Sequence, residues 1–278
     1  MRPWRALGET SGLASVLKPG HLLRRIRHTG CQQRFLSVPA AATVWSLLQR
    51  VPRFDHDRTA LVCGESGTRL SHRELHQRSL SLAGKLVHDF GYVVGDKLAL
   101  VLAGNCTESI ITQLAAAAAG ITVVTATKAE DRALQGCRGL VVSTKVLQGR
   151  SPLGLVADEQ HPPIVTHQSC QDGAGLLWEN VATSTHSLGE GSHMDIALPD
   201  VHQDVLLAMY GGAKASERAQ TQGQLSHLAT HTAAQISLSD ADRVAVAAPV
   251  DSPFGFGSGV LAGRVSPRPP SPPAVSVS

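Results

Sequence analysis

Aromatic residues are scarce in this chain of 278 residues, with Phe, Trp and Tyr making up 4% of it. A single-strand nucleic-acid groove stacks bases on aromatic rings, so this composition argues against that class. Long apolar runs are missing too. The longest nearly apolar stretch, Leu114–Val124, is broken by Gly120 and Thr122 and falls short of the roughly 20 residues a membrane-spanning helix needs. Five cysteines (Cys31, Cys63, Cys106, Cys137 and Cys170) stand far apart with no C-x-x-C pair, which argues against a disulfide scaffold and a zinc site. No G-x-S-x-G nucleophile elbow and no Walker A motif occur. Gly255-Phe256-Gly257-Ser258-Gly259 misses the elbow by one position, and Val260 stands where G-x-G-x-x-G requires its last glycine.

Charge is present but unevenly placed. Of the 25 basic residues, seven (Arg2, Arg5, Lys18, Arg24, Arg25, Arg27, Arg34) fall in residues 1–40 against the single acid Glu9. The remainder holds 18 basic and 21 acidic residues, a net of −3 inside a chain whose total is +3. A nucleic-acid-binding domain carries its positive charge on the folded body, and this body is mildly acidic. Residues 1–40, rich in Arg with Ser, Leu and His between, have the composition of a mitochondrial transit peptide, and Arg34-Phe35-Leu36-Ser37 resembles a matrix-protease site. The expected location is the mitochondrial matrix. Residues 264–278 hold five prolines and little that could be buried, so a disordered tail is expected there.

Histidine is abundant, with 13 residues. His72/His76 and His227/His231 are i,i+4 pairs that share a helix face, but neither is H-E-x-x-H and no acidic third ligand accompanies them. Solvated helix faces account for them better than a metal does.

Between the two ends the pattern alternates strand and helix. A short helix is expected over Thr43–Val51 and a strand over Asp57–Val62, with a turn at Gly64–Gly67. Ser71 with Glu74 three residues on forms a capping box for a helix that carries Leu75, Leu82 and Leu86 and ends near Gly91. Buried strands are expected at Leu98–Leu102, Ile121–Val124 and Leu140–Val142, and an Ala-rich helix at Thr107–Ala119 closed by Gly120. Leu147–Gln203 reads as a long polar connection. Then come a strand at Val205–Met209, a glycine-bearing loop, a helix at Gln224–Ile236 and a strand at Val244–Ala248. Strand–helix–strand succession predicts an α/β fold, a mostly parallel sheet flanked by helices.

One loop carries candidate chemistry. Tyr210, Gly211, Gly212, Lys214, Ser216 and Arg218 follow a strand, and small residues there let backbone N–H groups turn toward a phosphate while the cations neutralise it. An ordinary strand–helix turn explains the same residues equally well. No catalytic residue and no metal ligand is assigned.

Asp57-Arg58-Thr59-Ala60-Leu61-Val62, then Ser71-His72-Arg73-Glu74-Leu75 and Arg78-Ser79-Leu80, resemble the opening of the AMP-forming acyl-CoA synthetases. Gly91-x-x-x-Gly95-Asp96, Asn105-x-x-Glu108 and Gly120 before an apolar strand follow in that family's order, and Pro249 through Leu261 resembles the segment after its phosphate loop. Within the family, the run Arg73-Glu74-Leu75-x-x-Arg78-Ser79-Leu80 is most similar to the mitochondrial malonyl-CoA synthetase type. The resemblance implies ATP with Mg2+ and coenzyme A as cofactors, a small carboxylate such as malonate or a fatty acid as substrate, and an acyl-adenylate route to a thioester. It places Tyr210–Arg218 at the ATP phosphate loop and Ser226-His227 at the hydroxyl–His pair that follows. Both threonines of the family loop are gone; with one deletion allowed, Ala213 and Lys214 replace them and Arg218 stands for the lysine, and without it Ala219 falls at the lysine position and Gly212 at the serine. The family's later motifs do not occur, so residues 41–263 are expected to be a partial N-terminal domain with little or no ligase activity alone. A non-catalytic mitochondrial binding or assembly protein, self-associating through an incomplete domain, is the alternative, and an unrelated α/β protein with another phosphate ligand is a third.

Overall fold

The computed structural model describes residues 42–49, 56–102, 104–126, 134, 136–147, 163–166, 176–178, 181, 197–210, 218–239 and 242–264, all within the unit Ser37–Ser278. The expected transit peptide, residues 211–217 of the glycine-bearing loop and the Pro/Ser tail after Arg264 lie outside the described residues.

Local chemistry sets the first elements. Helix α1 (Val44–Leu48) starts at Thr43, whose Oγ1 accepts from Ser46 N at 3.1 Å, while Ser46 Oγ accepts from Thr43 N at 3.0 Å. Strands β1 (Thr59–Val62) and β2 (Arg69–Ser71) form an antiparallel hairpin. Its turn closes by Gly67 N donating to Cys63 O at 2.9 Å. The hairpin delivers Ser71 to the start of α2 (His72–His88), where Ser71 Oγ accepts from Glu74 N at 3.2 Å and Glu74 Oε2 accepts from Ser71 N at 2.7 Å. Leu75, Leu82 and Leu86 on one face of α2 are all buried, each stabilising the fold by about 1.5–3 kcal/mol relative to exposure.

The main sheet contains β3 (Lys97–Val101), β4 (Thr122–Thr125), β5 (Gly139–Ser143), β6 (Ile164–Thr166), β7 (Leu176–Leu177), β8 (Leu206–Tyr210) and β9 (Arg218–Thr221). Their order is β7-β6-β5-β3-β4-β8-β9. Every neighbouring pair is parallel except β8 with β9. The central strands are apolar on both faces, as parallel strands covered from two sides must be. Leu98, Leu100, Val123 and Val141 enter the larger core, with α1, α2 and α3 (Thr107–Ala119). Their neighbours Ala99, Val101, Val124, Leu140 and Val142 face a second, smaller core with Leu134, Cys137 and Leu147, the last from α4 (Thr144–Leu147).

Helix α3 is buried along almost its whole length, which its Ala115–Ala119 run permits because small side chains let neighbouring elements approach on every side. Gly120 ends it at φ 70°, where a Cβ would also meet Val94 Cγ2 at 3.0 Å. Helix α5 (Gln222–Gln235) starts from a third capping box, Thr221 with Gln224. Buried Gln222 at its first turn accepts from Val44 N at 3.1 Å and donates to Ala117 O at 2.9 Å, which joins α1, α3 and α5. A π-helix over Phe254–Leu261 and a 3₁₀ turn over Ala262–Arg264 complete the described chain.

Three expectations are corrected. Val244–Ala248 pairs with none of the described strands; it is irregular, and the Asn105 carboxamide takes carbonyls a ladder would use, donating to Val246 O at 3.3 Å and Ala248 O at 2.9 Å. Leu147–Gln203 is more than a connection, since β6 and β7 lie in it and extend the sheet beyond β5. The glycine-bearing loop does not lead straight into a helix: β9 returns antiparallel to β8 first.

Candidate functional site at the carboxyl edge of the sheet

In open parallel sheets, ligands bind outside the carboxyl ends of the strands, where the connections leave toward opposite faces. The adjacent strands β3 and β5 meet that description, since β3 leads into α3 on the larger core and β5 into α4 on the smaller one. Tyr210 ends β8 level with Thr125 at the end of β4, which in turn stands level with Leu100 of β3. Arg218 begins β9 as the cross-strand partner of Tyr210. The two ends of the candidate phosphate loop are thus adjacent, at the carboxyl edge. Gly211, Gly212, Lys214 and Ser216 lie outside the described residues.

Around this edge the structure gathers groups that the sequence pattern did not single out. Thr125 Oγ1 donates to Asp251 O at 3.3 Å. Asn105, in the β3–α3 connection, accepts from Val250 N at 2.9 Å. Gln113, fully buried on α3, donates to Val250 O at 2.9 Å and to Ser109 Oγ at 3.3 Å. Three side chains thereby hold residues 246–251 by their backbone. Lys145 Nζ, just past the end of β5, meets Glu65 Oε1 at 2.7 Å, and Glu65 comes from the β1–β2 turn. Glu65 hydrogen-bonds Lys145 and raises its pKa, so the amine stays charged at this edge. The missed residues had one signal: Thr125 and Ser143 are the polar residues that end apolar β-branched runs.

Two thiols stand beside this network. Cys63 Sγ donates to Asn105 O at 3.7 Å, and Cys106 is the N-cap residue of α3. Burial pushes the Cys106 thiol up to about 12, against a weaker pull from the Ser109 N–H. Burial also raises Cys63, but the Ser66 hydroxyl and the Ser66 and Glu65 N–H groups outweigh it, and its pKa lies below the ordinary thiol value.

The other sequence candidates are structural. Ser226 is buried and donates to Ala42 O at 2.8 Å, while the His227 and His231 rings stack at 6.1 Å. That pair lines an open hollow of about 420 Å³ with Gly223, Gln224 and Leu228, all of α5. His76 stacks on Trp45 at 4.9 Å, and His72 Nδ1 lies 2.7 Å from Arg264 Nη1. Among the described residues no group of three or more His, Cys, Asp or Glu side chains could hold a metal. None of the described helices is long and apolar enough to cross a membrane.

Residues 48–139 match the family described as AMP-binding enzyme, and that stretch contains the hairpin, the capped helix α2, the Gly91–Asp96 turn and Asn105-x-x-Glu108. No curated protein matches the chain in sequence. Solved structures match in fold. One described as a long-chain-fatty-acid CoA ligase from Rhodopseudomonas palustris aligns with TM-score 0.65 and 20% identity, covering 81% of this chain and 56% of that one. The anthranilate CoA ligase AuaEII, solved with anthranoyl-AMP, aligns with TM-score 0.66 and 14% identity over 83% of this chain and 44% of its own. The N-terminal domain of FACL13 from Mycobacterium tuberculosis gives TM-score 0.62 and 16% identity over 80% and 55%. The chain thus spans between 44% and 56% of the length of these three. Residues 48–139 are thus similar to AMP-binding enzymes in sequence, and over about four-fifths of its length the chain has an α/β fold matching part of the acyl-CoA ligase N-terminal domain.

Proposed function

We propose that residues 41–263 are the nucleotide-holding part of an AMP-forming acid–CoA ligase domain, and that these 278 residues hold ATP weakly without turning over a carboxylate. The observation that supports this reading is the pairing of Tyr210 with Arg218 beside Thr125, which closes the 210–218 loop at the carboxyl edge of a parallel sheet. In this reading the backbone N–H groups of Gly211 and Gly212 and the Ser216 hydroxyl face the phosphates, and Lys214 and Arg218 neutralise them together with Mg2+. ATP supplies the adenylyl group in this reaction class, and coenzyme A receives the acyl group. Turnover falls to background because neither threonine of the family loop is present, and losing one donor to a developing transition-state charge costs about 10²–10³ in rate. Malonate or a fatty acid is the substrate class that the Arg73–Leu80 run suggests, and the Arg-rich residues 1–40 direct the chain to the mitochondrial matrix.

Pyrophosphate release by the full chain with ATP and malonate, or a fatty acid, tests the reading. Release at background is expected, and robust turnover overturns the inactivity. A second reading, a non-catalytic assembly role, draws on apolar side chains left on the surface: Phe254 is 71% exposed and Ile236 60%. A concentration-independent monomer on size exclusion would sink it.

A further inference from the structure

Cys63 follows β1, and Cys106 stands at the N-cap position of α3, 43 positions on in the chain. What joins them is the carbonyl of Asn105, the residue before Cys106, which accepts from Cys63 Sγ at 3.7 Å. Every described peptide bond is trans, and in a trans peptide the carbonyl oxygen lies about 2.8 Å from the next Cα. The Cys63 sulfur therefore lies no more than about 6.5 Å from the Cys106 Cα, which makes the two cysteines near neighbours in space.

The surroundings assign the two thiols different parts. Cys63 sits in a turn whose Ser66 hydroxyl and N–H groups favour the thiolate, the form that attacks an oxidant. Cys63 itself is buried, at 7% exposure, and Cys106 is the partly exposed member, so a small oxidant reaches the pair from the Cys106 side. The Cys106 thiol keeps its proton, with Glu108 adding to the effect of burial. Cys137, by contrast, is buried against the second face of the sheet, with its thiol pushed up to about 11.

We propose that Cys63 and Cys106 are a reversible redox pair that forms a disulfide under peroxide and ties the β1–β2 hairpin to the start of α3. The Cys63 thiolate attacks a peroxide oxygen; an S–O bond forms, the O–O bond breaks, and the leaving hydroxide takes a proton to become water. The Cys106 sulfur then attacks the sulfenic sulfur, the S–S bond forms, and the departing hydroxide takes the Cys106 proton as a second water. Two thiols and one peroxide give one disulfide and two waters. The bond removes the Cys63 contact to the Asn105 carbonyl, so it acts on the connection whose side chain holds residues 246–250. This inference does not depend on the ligase reading.

The test is non-reducing peptide mapping of the full folded chain after hydrogen peroxide and N-ethylmaleimide quenching. A Cys63–Cys106 cross-linked peptide is expected as the dominant product, reversed by dithiothreitol and lost when the oxidation is run in urea. In Cys106→Ser, Cys63 accumulates as a sulfenic acid that dimedone captures. Cross-links that instead join Cys31, Cys137 or Cys170, sulfinic acid at Cys63 without a cross-link, or two unreacted thiols in the folded chain overturn the proposal. The native chain gives that answer whether or not the variant folds.

Discussion

Asn105 accepts a hydrogen bond from the Val250 N–H at 2.9 Å, across 145 positions of sequence. The same carboxamide donates to Val246 O and Ala248 O, so one side chain takes the place of a strand partner for the segment. Asn105→Ala removes all three bonds and leaves partly buried carbonyls without a partner, at a cost of about 2–4 kcal/mol. Urea unfolding of the full chain measures it. Hydrogen exchange at residues 246–250 should speed up with it, whereas unchanged protection there would mean that another group holds the segment.

The glycines of the π-helix differ in what surrounds them. A Cβ on Gly257 would meet Leu228 Cδ2 at 2.7 Å, the tip of a side chain that can rotate away, whereas one on Gly255 would overlap the backbone carbonyl of Pro249. Gly255→Ala is therefore expected to cost more than Gly257→Ala, about 3 kcal/mol or more against about 1–2 kcal/mol. Thermal unfolding of the two variants ranks them, and the reverse order contradicts the packing.

His76 lies against Trp45, and burial, with a smaller contribution from the charge of His56, holds its pKa below the ordinary histidine value of 6.5. The unfolded chain therefore binds this proton more readily than the folded one. The neutral ring's contribution is complete above the unfolded pKa, declines as pH falls through about 6.5 and levels off below the folded pKa. His76→Phe keeps the stacking and abolishes the titration. The stability gap between variant and native chain should widen in the variant's favour between about pH 7.5 and about pH 5.5, and a constant gap would contradict the assignment.

Arg264 presents a guanidinium whose Nη2 is buried without a partner among the described residues, and burial lowers its pKa to about 10. Among the described residues, Nη1 meets the ring nitrogen Nδ1 of His72, which must accept from it. A buried cation without a carboxylate costs more than an apolar side chain of similar length, so Arg264→Met is expected to stabilise the chain, by about 1 kcal/mol or more. A lower denaturation midpoint would show that the charge has a partner.

How much of this was legible in the sequence follows from how local each signal is. Ser71 with Glu74, and Thr107–Ala119 closed by Gly120, are legible in the sequence because capping and helix termination are decided within a few residues. The strands β6 and β7 are 3 and 2 residues long, too short for any hydrophobic period, and exist because β5 offers β6 an edge and β6 in turn offers one to β7. Polar β9 is a strand because β8 faces it across the loop. Val244–Ala248 has the composition of a strand, and the distant Asn105 takes carbonyls a ladder would use. At the site, the paired glycines and Lys214 marked the loop, while Glu65, Lys145 and Thr125 reach the edge through topology alone.

The central claim, that the 210–218 loop faces a nucleotide triphosphate, is tested most directly by limited trypsin digestion. Cleavage after Lys214 and Arg218 reports on the loop itself. ATP with Mg2+ should slow cleavage at both positions, adenosine should not, and Lys214→Ala should weaken the protection at Arg218 by about tenfold in ATP concentration. Equal cleavage rates with and without saturating ATP, in a chain that is otherwise folded, would contradict the account.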